Sequence, residues 1–268
     1  MRVRFWGVRG SVPWATLPSI GHGCNTPCIE LQAVTGERLV LDAGSGIVGL
    51  GEAVNGVPRP ISVLLTHYHW DHLQGLPFFT PLYQPRCPLT LWTPCLDGHD
   101  ASWISAIFQS PFFPVPFERL PVRPKFELVR AGPMNINGFD VRAIPLNHPS
   151  GSVAYRIRGK SGDLVYASDH EVGDDRFDGP LAEFIAGARD VIFDAHFTPE
   201  EIAAHRRWGH STWEDAARFC AAAAGVERLW LFHHKPGRTD AALMAIQAAA
   251  RKIFPSTAAA AEGGIFDV

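Results

Sequence analysis

Cysteine is scarce in this chain. Cys24, Cys28, Cys87, Cys95 and Cys220 are scattered over 268 positions. That is too few and too dispersed for a disulfide framework. They read as small buried residues or free thiols in a reducing cytoplasm, with Cys24 and Cys28 the pair to test as metal ligands. Charge of one sign is also missing. The net charge is −3 and no block of five like charges occurs. Such a balance argues against a membrane surface and against a strong electrostatic grip on duplex nucleic acid. No apolar run approaches a membrane span. The opening Met1-Arg2-Val3-Arg4-Phe5-Trp6 alternates like a strand and lacks the apolar core of a signal peptide. Repeats, low-complexity linkers and clear boundaries are absent too. With 46% apolar residues, the chain can fill one large core or two small ones. Residues 1–268 read as a single domain.

What is present is concentrated. Thr66-His67-Tyr68-His69-Trp70-Asp71-His72 packs four ligand-type side chains, His67, His69, Asp71 and His72, into six positions. Imidazole and carboxylate suit zinc, manganese or iron(II), and no thiolate sits in the cluster. The spacing suits two cations side by side. The preceding run 61–65 is short and apolar, as in a buried strand, so the ligands should project from a strand tip. Two cations need further ligands. His148 follows the run 141–146, Asp169 the run 164–167, and His233 the run 229–232. Strand tips converging on one cleft would bring these three to the cluster. Asp169 is the natural bridge, one carboxylate oxygen for each ion. Two alternatives stay open. His234 doubles His233, and His170-Glu171 behind Asp169 could support the ligands or bind metal themselves.

Strand-like runs broken by Gly and Pro fill 28–31, 38–41, 61–65, 89–93, 139–145, 152–158 and 164–167. Asp42-Ala43-Gly44-Ser45-Gly46 is glycine-rich at a strand end, but it lacks the lysine of a phosphate loop. It reads as a tight turn beneath the metal site. Helices cluster late. Thr198-Pro199-Glu200-Glu201 and Ser211-Thr212-Trp213-Glu214 both read as capping boxes. The second should lead into a helix over 216–224 stopped by Gly225. A third helix is expected over 239–252. Strands in both halves with helices outside predict an α+β fold of two face-to-face sheets covered by helices. Residues 94–138 fit least well. The piece 103–107 could be helical, whereas the proline-rich 111–117 cannot be a regular helix. This stretch is an insertion that forms a lid, a substrate wall or a packed surface loop.

Taken in order, these residues resemble the metallo-β-lactamase superfamily, whose H-x-H-x-D-H signature stands here as His67 to His72. Within it, the chain is most similar to the phosphodiesterase branch of ribonuclease Z and the cyclic phosphodiesterases. The likeness begins at Gly7-Val8-Arg9-Gly10-Ser11 and Asn25-Thr26. It runs through Leu41-Asp42-Ala43-Gly44, the ligand motif, His148 and Ser168-Asp169 to the tail at 208–238. The resemblance implies a four-layer αββα sandwich. It implies that His67, His69 and His148 hold one cation, and that Asp71, His72 and a tail histidine hold the other, with Asp169 shared. The family carries one histidine straight after its last strand, which favours His233 over His234. His210-Ser211-Thr212 is similar to an element of ribonuclease Z-like enzymes whose histidine faces the scissile phosphate. A helix N-terminus attracts anions through its free N–H groups, and a histidine beside it can donate a proton.

The expectation is a cytoplasmic hydrolase of a small or cyclic phosphodiester. Its cofactors are two divalent ions, zinc first, with manganese or iron as alternatives. Asp71 and His210 are the catalytic residues beside the metal ligands. No membrane partner is expected, nucleic acid is disfavoured, and a homodimer is left open. Ribonuclease Z proper needs a Gly- and Lys-rich clamp for tRNA, and 94–138 is aromatic and proline-rich instead. A lactonase or thioesterase on the same fold, and a non-enzymatic metal-binding relative, are the remaining alternatives.

Overall fold

In the computed structural model, residues 1–57, 59–85, 87–96, 98 and 101–268 are described. Positions 97, 99 and 100 of the 94–138 stretch therefore lie outside the described residues. The strands are β1 Arg2–Gly7, β2 Cys28–Gln32, β3 Arg38–Leu41, β4 Ile61–Leu64, β5 Leu89–Thr93, β6 Lys125–Leu128 and β7 Met134–Ile136. They continue as β8 Phe139–Leu146, β9 Ser152–Arg158, β10 Asp163–Ala167, β11 Ala188–Asp194, β12 Arg228–Phe232, β13 Thr257–Ala259 and β14 Ile265–Asp267. Among the described residues they form two seven-stranded sheets, ordered β14-β1-β2-β3-β4-β5-β6 and β13-β12-β11-β10-β9-β8-β7. Only β14 crosses back to the sheet of the first half, placing Phe266 opposite Val3. Each sheet holds a parallel run, β3 to β6 in one and β10 to β13 in the other.

Parallel neighbours need crossover connections, which helices supply. Helix α1 (Gly46–Ala53) joins β3 to β4, and α2 (Ser102–Ala106) lies between β5 and β6. Helices α3 (Asp175–Ile185), α4 (Trp213–Ala222) and α5 (Asp240–Ala250) serve the second sheet. The parallel strands are buried on both faces, which is why they read as unbroken apolar runs. Leu39 and Leu41 of β3 enter the core between the sheets, and Val40 enters the core beneath α1. On β10, Leu164 and Tyr166 face the other sheet while Val165 and Ala167 face the helices. The period of two along each strand thus builds the four-layer αββα sandwich.

The helices depart from expectation in four places. The segment after Thr198 is only a turn and a short 3-10 helix, Ile202–Ala204. Glu201, placed to continue a helix, is instead bound by Lys235 and Arg238, and the chain must double back to the site. The cap of α4 is Thr212 with Asp215, one residue beyond the expected Ser211 and Glu214. Ser211 is occupied elsewhere, its hydroxyl donating to the His170 carbonyl at 2.5 Å. Helices α1 and α3 have no counterpart among the expected elements. Glycines in α1 and Gly179-Pro180 in α3 hide their periodicity, and burial of Ile47, Leu50, Leu181 and Ile185 holds them in place.

Within 94–138, residues 101–120 pack on the first sheet, while 125–128 and 134–136 are the edge strands β6 and β7 of the two sheets. Ile104 and Phe108 are fully buried. Phe108 meets Phe113 and Phe117 edge-on at 5.6 and 5.3 Å, and Phe113 meets Phe78 at 5.5 Å. Residues 111–117 form no regular helix, as their prolines require.

Candidate metal centre

The carboxyl ends of the parallel strands open at one edge of the sandwich. There β3 delivers Asp42, β4 delivers His67, β10 delivers Asp169, β11 delivers Asp194 and β12 delivers His233. Strand β8 runs parallel to β10, each being antiparallel to β9, and so delivers His148 to the same edge. Asp42, Asp169 and His233 have φ of 62°, 58° and 59°. Non-glycine residues are strained in that left-handed region, and such strain clusters at functional sites.

Every side chain expected as a ligand meets the others here, in two halves. In the first, His69 Nδ1 lies 3.0 Å from His148 Nε2, and the His67 ring is 4.6 and 4.8 Å from those two rings. In the second, His72 Nε2 is 3.4 Å from Asp71 Oδ2 and 3.2 Å from Asp169 Oδ2. His233 Nε2 is 3.1 and 3.4 Å from the same two oxygens. Ligand atoms about 2.0–2.2 Å from a tetrahedral zinc stand about 3.3–3.6 Å apart. Asp169 faces both halves, with Oδ1 3.9 Å from His67 Nε2 and 3.8 Å from His148 Nε2.

Three of the imidazoles have their orientation fixed from behind. His67 Nδ1 contacts the Thr66 hydroxyl at 3.0 Å, and His72 Nδ1 donates to Asp42 Oδ2 at 2.8 Å. His148 Nδ1 donates to the Gly209 carbonyl at 2.8 Å. Each contact turns Nε2 inward, the arrangement by which metal-binding histidines are held. The Nε2 atoms of His67 and His72 are buried without a hydrogen bond. A buried imidazole nitrogen left unpaired costs about 1–3 kcal/mol. Converging with carboxylates, these atoms fit a divalent cation.

The charges divide in the same way. Burial pushes His67, His69 and His148 below the usual histidine range, His148 to about 4. Their lone pairs are therefore free at neutral pH. Burial also acts on His72, but Asp169, Asp71 and Asp42 outweigh it and hold that ring protonated well above its ordinary range. The facing histidines hold Asp71 and Asp169 well below the carboxylate range against the opposing effect of burial. A cation entering the second half must displace the proton on His72.

His210 lies beside this cage. Burial pulls its pKa down, but Asp194 Oδ2, 2.8 Å from Nδ1, raises it to about 9. The ring is an imidazolium at neutral pH, with Nδ1 3.8 Å from Asp169 Oδ1. Among the described residues, nothing hydrogen-bonds its Nε2. The helix end beside it contributes less than expected. The N–H groups of Ser211, Thr212, Trp213 and Asp215 bind Asp194, Asp215, the Phe197 carbonyl and Thr212. An anion here meets the His210 ring rather than free helix N–H groups.

The remaining alternatives separate by position. His234 turns away, with Nε2 2.9 Å from the Ala260 carbonyl, and burial lowers it to about 3. His170 is bound to Asp178 at 3.0 Å, outside the cage. Glu171 accepts the N–H groups of Arg207 and Gly209 at 2.9 Å each, steadying the loop whose carbonyl orients His148. Among the described residues, no cysteine joins a metal-ligating group. Reading the residues alone missed the roles of Asp42, Asp194 and His196. Asp194 accepts the Asp169 N–H at 3.1 Å, and His196 stacks on His210 at 4.4 Å. Asp194 and His196 follow an apolar strand just as His148, Asp169 and His233 do, so the same signal could have found them.

Comparison with known proteins agrees with this architecture. The family description "Beta-lactamase superfamily domain" matches residues 37–234. A ribonuclease Z of Bradyrhizobium sp. (strain ORS 278) is 27% identical over a 303-position alignment covering 96% of each chain. Zn(2+)-bound PqqB from Methylobacterium extorquens superposes with a TM-score of 0.72 at 19% identity, over 100% of both chains. A diphosphatase from the PhnP family gives 0.71 at 16% identity, over 100% of this chain and 97% of that one. The structural likenesses speak for the fold, and the sequence match across 37–234 for descent. This chain belongs to the beta-lactamase superfamily, and its histidine and aspartate cage stands at the strand ends of that superfamily's metallo-β-lactamase fold.

Proposed function

We propose that the protein is a hydrolase that cleaves a small or cyclic phosphodiester with two divalent cations. Zinc is the first candidate, with manganese or iron as alternatives. His67, His69, His148 and Asp169 would hold one cation, and Asp71, His72, His233 and Asp169 the other. Bound there, the pair supplies Lewis acidity toward phosphate oxygens and lowers the pKa of water toward neutrality. The chain's own groups do the rest. Asp169 divides its two oxygens between the halves. Asp71, whose Oδ2 accepts the Ser11 N–H at 2.7 Å, keeps its carboxylate turned toward the cage and orients the nucleophile. His210 donates a hydrogen bond to a phosphate oxygen or a proton to the leaving oxygen. Asp194 offsets its charge before the substrate arrives.

The observation that carries this reading is the placement of His210, with Nδ1 2.8 Å from the buried Asp194 carboxylate and 3.8 Å from the shared Asp169. A phosphodiester brings a fixed negative charge to meet that ring, whereas a lactone or thioester develops charge only during reaction. His210→Ala should lower turnover of bis-p-nitrophenyl phosphate by about 10²–10⁴-fold. Elemental analysis should find the metal content unchanged. Full diesterase activity in that variant, or faster wild-type turnover of a lactone panel, overturns the assignment.

The end-to-end similarity to a ribonuclease Z favours a second reading, tRNA 3′ processing. Phosphate contacts make RNA binding fall steeply with salt. Salt-dependent binding and cleavage of a precursor tRNA, faster than any small diester, would establish it instead.

A further inference from the structure

Beside the His67–His69 arm of the cage is a cavity of about 560 Å³. Those two histidines line it, together with Tyr68 and Trp70 of the ligand loop and Trp103, Ile107 and Phe112 from the stretch that follows β5. No Lys, Arg, Asp or Glu lines it among the described residues. Among the described residues, an anion meets no Lys or Arg in it and a nucleic acid strand no basic track. Three large rings around it face solvent, with Trp70 56%, Trp103 53% and Phe112 82% exposed. Apolar groups gathered at a cleft mark a binding site more often than idle surface. The wall is also preformed. Ile104 and Phe108, on either side of Ala106 and Ile107, are fully buried in the core beneath α1.

We propose that this cavity is a subsite for an uncharged aromatic, or similarly flat and apolar, substituent of the substrate, with Trp103 and Phe112 setting the preference. Such a group is held by burial and ring contact, and flat groups gain most from both. Residues 103–112 are then a fixed substrate wall rather than a lid. What carries the substituent rests on the phosphodiesterase reading; what the cavity binds does not.

The test has two arms. In the first, 2-naphthol is titrated calorimetrically into the full-length, chelator-treated protein. Saturable one-to-one binding is expected, weakened about tenfold or more in Trp103→Ala and in Phe112→Ala. Phe112 is exposed enough for its variant to keep the fold, which a thermal melt checks. In the second arm, the zinc-loaded enzyme receives methyl, phenyl and 2-naphthyl esters of p-nitrophenyl phosphate, which share one leaving group. The kcat/KM should rise about 10- to 100-fold from methyl to naphthyl, and the two variants should flatten that rise. A flat wild-type series together with no naphthol binding overturns the subsite. Cavity-dependent naphthol binding with no diester turned over leaves the subsite standing and removes the proposed function.

Discussion

The two halves of the cage differ in charge. The first is three imidazoles kept neutral by burial, with a single carboxylate oxygen turned toward them. The second sets two carboxylates against two imidazoles, with a third carboxylate, Asp42, behind His72. Buried carboxylates demand positive charge, and without a cation the His72 proton supplies it. The first half is thus ready for a cation as it stands, whereas the second exchanges one positive charge for another. A charged, polar cage of this kind persists only because the strand ends over-determine it, as the three left-handed residues show.

Three substitutions test that division, in falling order of effect. Asp169→Asn should damage both halves, because its oxygens face each of them. Metal content should fall below two per chain, and activity by about 10³-fold or more, beyond the loss of one oxyanion donor. Gly209→Ala should damage the first half alone. A Cβ there would stand 2.1 Å from His148 Nδ1, at a φ of +84° that a side chain resists. His148 must move, and a displacement of that size costs about 10²-fold in turnover. Asp42→Asn should damage chiefly the second half by freeing the His72 ring from its anchor at 2.8 Å, and the first half less, through the Thr66 hydroxyl that contacts both Asp42 and His67. Metal titration should show the second site weakened about 10- to 100-fold and the first distinctly less. If Gly209→Ala and Asp42→Asn gave the same metal-binding curve, the halves would not be separable.

Legibility followed the same physics. The convergence of side chains from one segment, His67 to His72, could be read as a candidate ligand set, because four such groups in six positions have few other uses. His148, Asp169 and His233 could be read from their place after apolar runs. The layered sheets were visible because doubly buried strands leave solid apolar stretches such as 61–65. Asp194 stood after an apolar run like the others and was passed over, whereas the part Asp42 plays behind His72 had no such mark. A carboxylate that binds a histidine from behind has no spacing of its own, because its partner is 30 positions away for Asp42 and 16 for Asp194 and meets it only in the folded chain. The choice of His233 over His234 depended on which ring turns toward Asp71, a matter of one peptide's rotation. Helix α1 was hidden for a related reason: its glycines allow close approach to Trp6 and Phe79, a tertiary gain that local propensity scores as a loss.

The smallest expected effect concerns protons. In the cation-free protein, His72 and His210 titrate above an unfolded histidine's value of about 6.5. Groups of that kind stabilise fully below about 6.5, and their contribution is lost as pH rises through the folded value, about 9 for His210. The neutral histidines act in the other direction. With His148 lowered to about 4, the unfolded chain binds protons that the folded one refuses, so stability falls as pH drops from about 6.5 toward 4. Asp71 and Asp169, held below the carboxylate range, deepen that acid loss. Chelator-treated protein should therefore melt highest near pH 6.5 and lower on both sides. Loading with zinc removes the His72 proton, so binding should release a proton and tighten as pH rises. The alkaline fall should then shrink to the part that His210 contributes. Melting curves from pH 4.5 to 9.5, with and without zinc, read this directly. An apo profile that stays level up to pH 9 would mean that no proton stands in for the second cation, and the contrast between the halves would be lost.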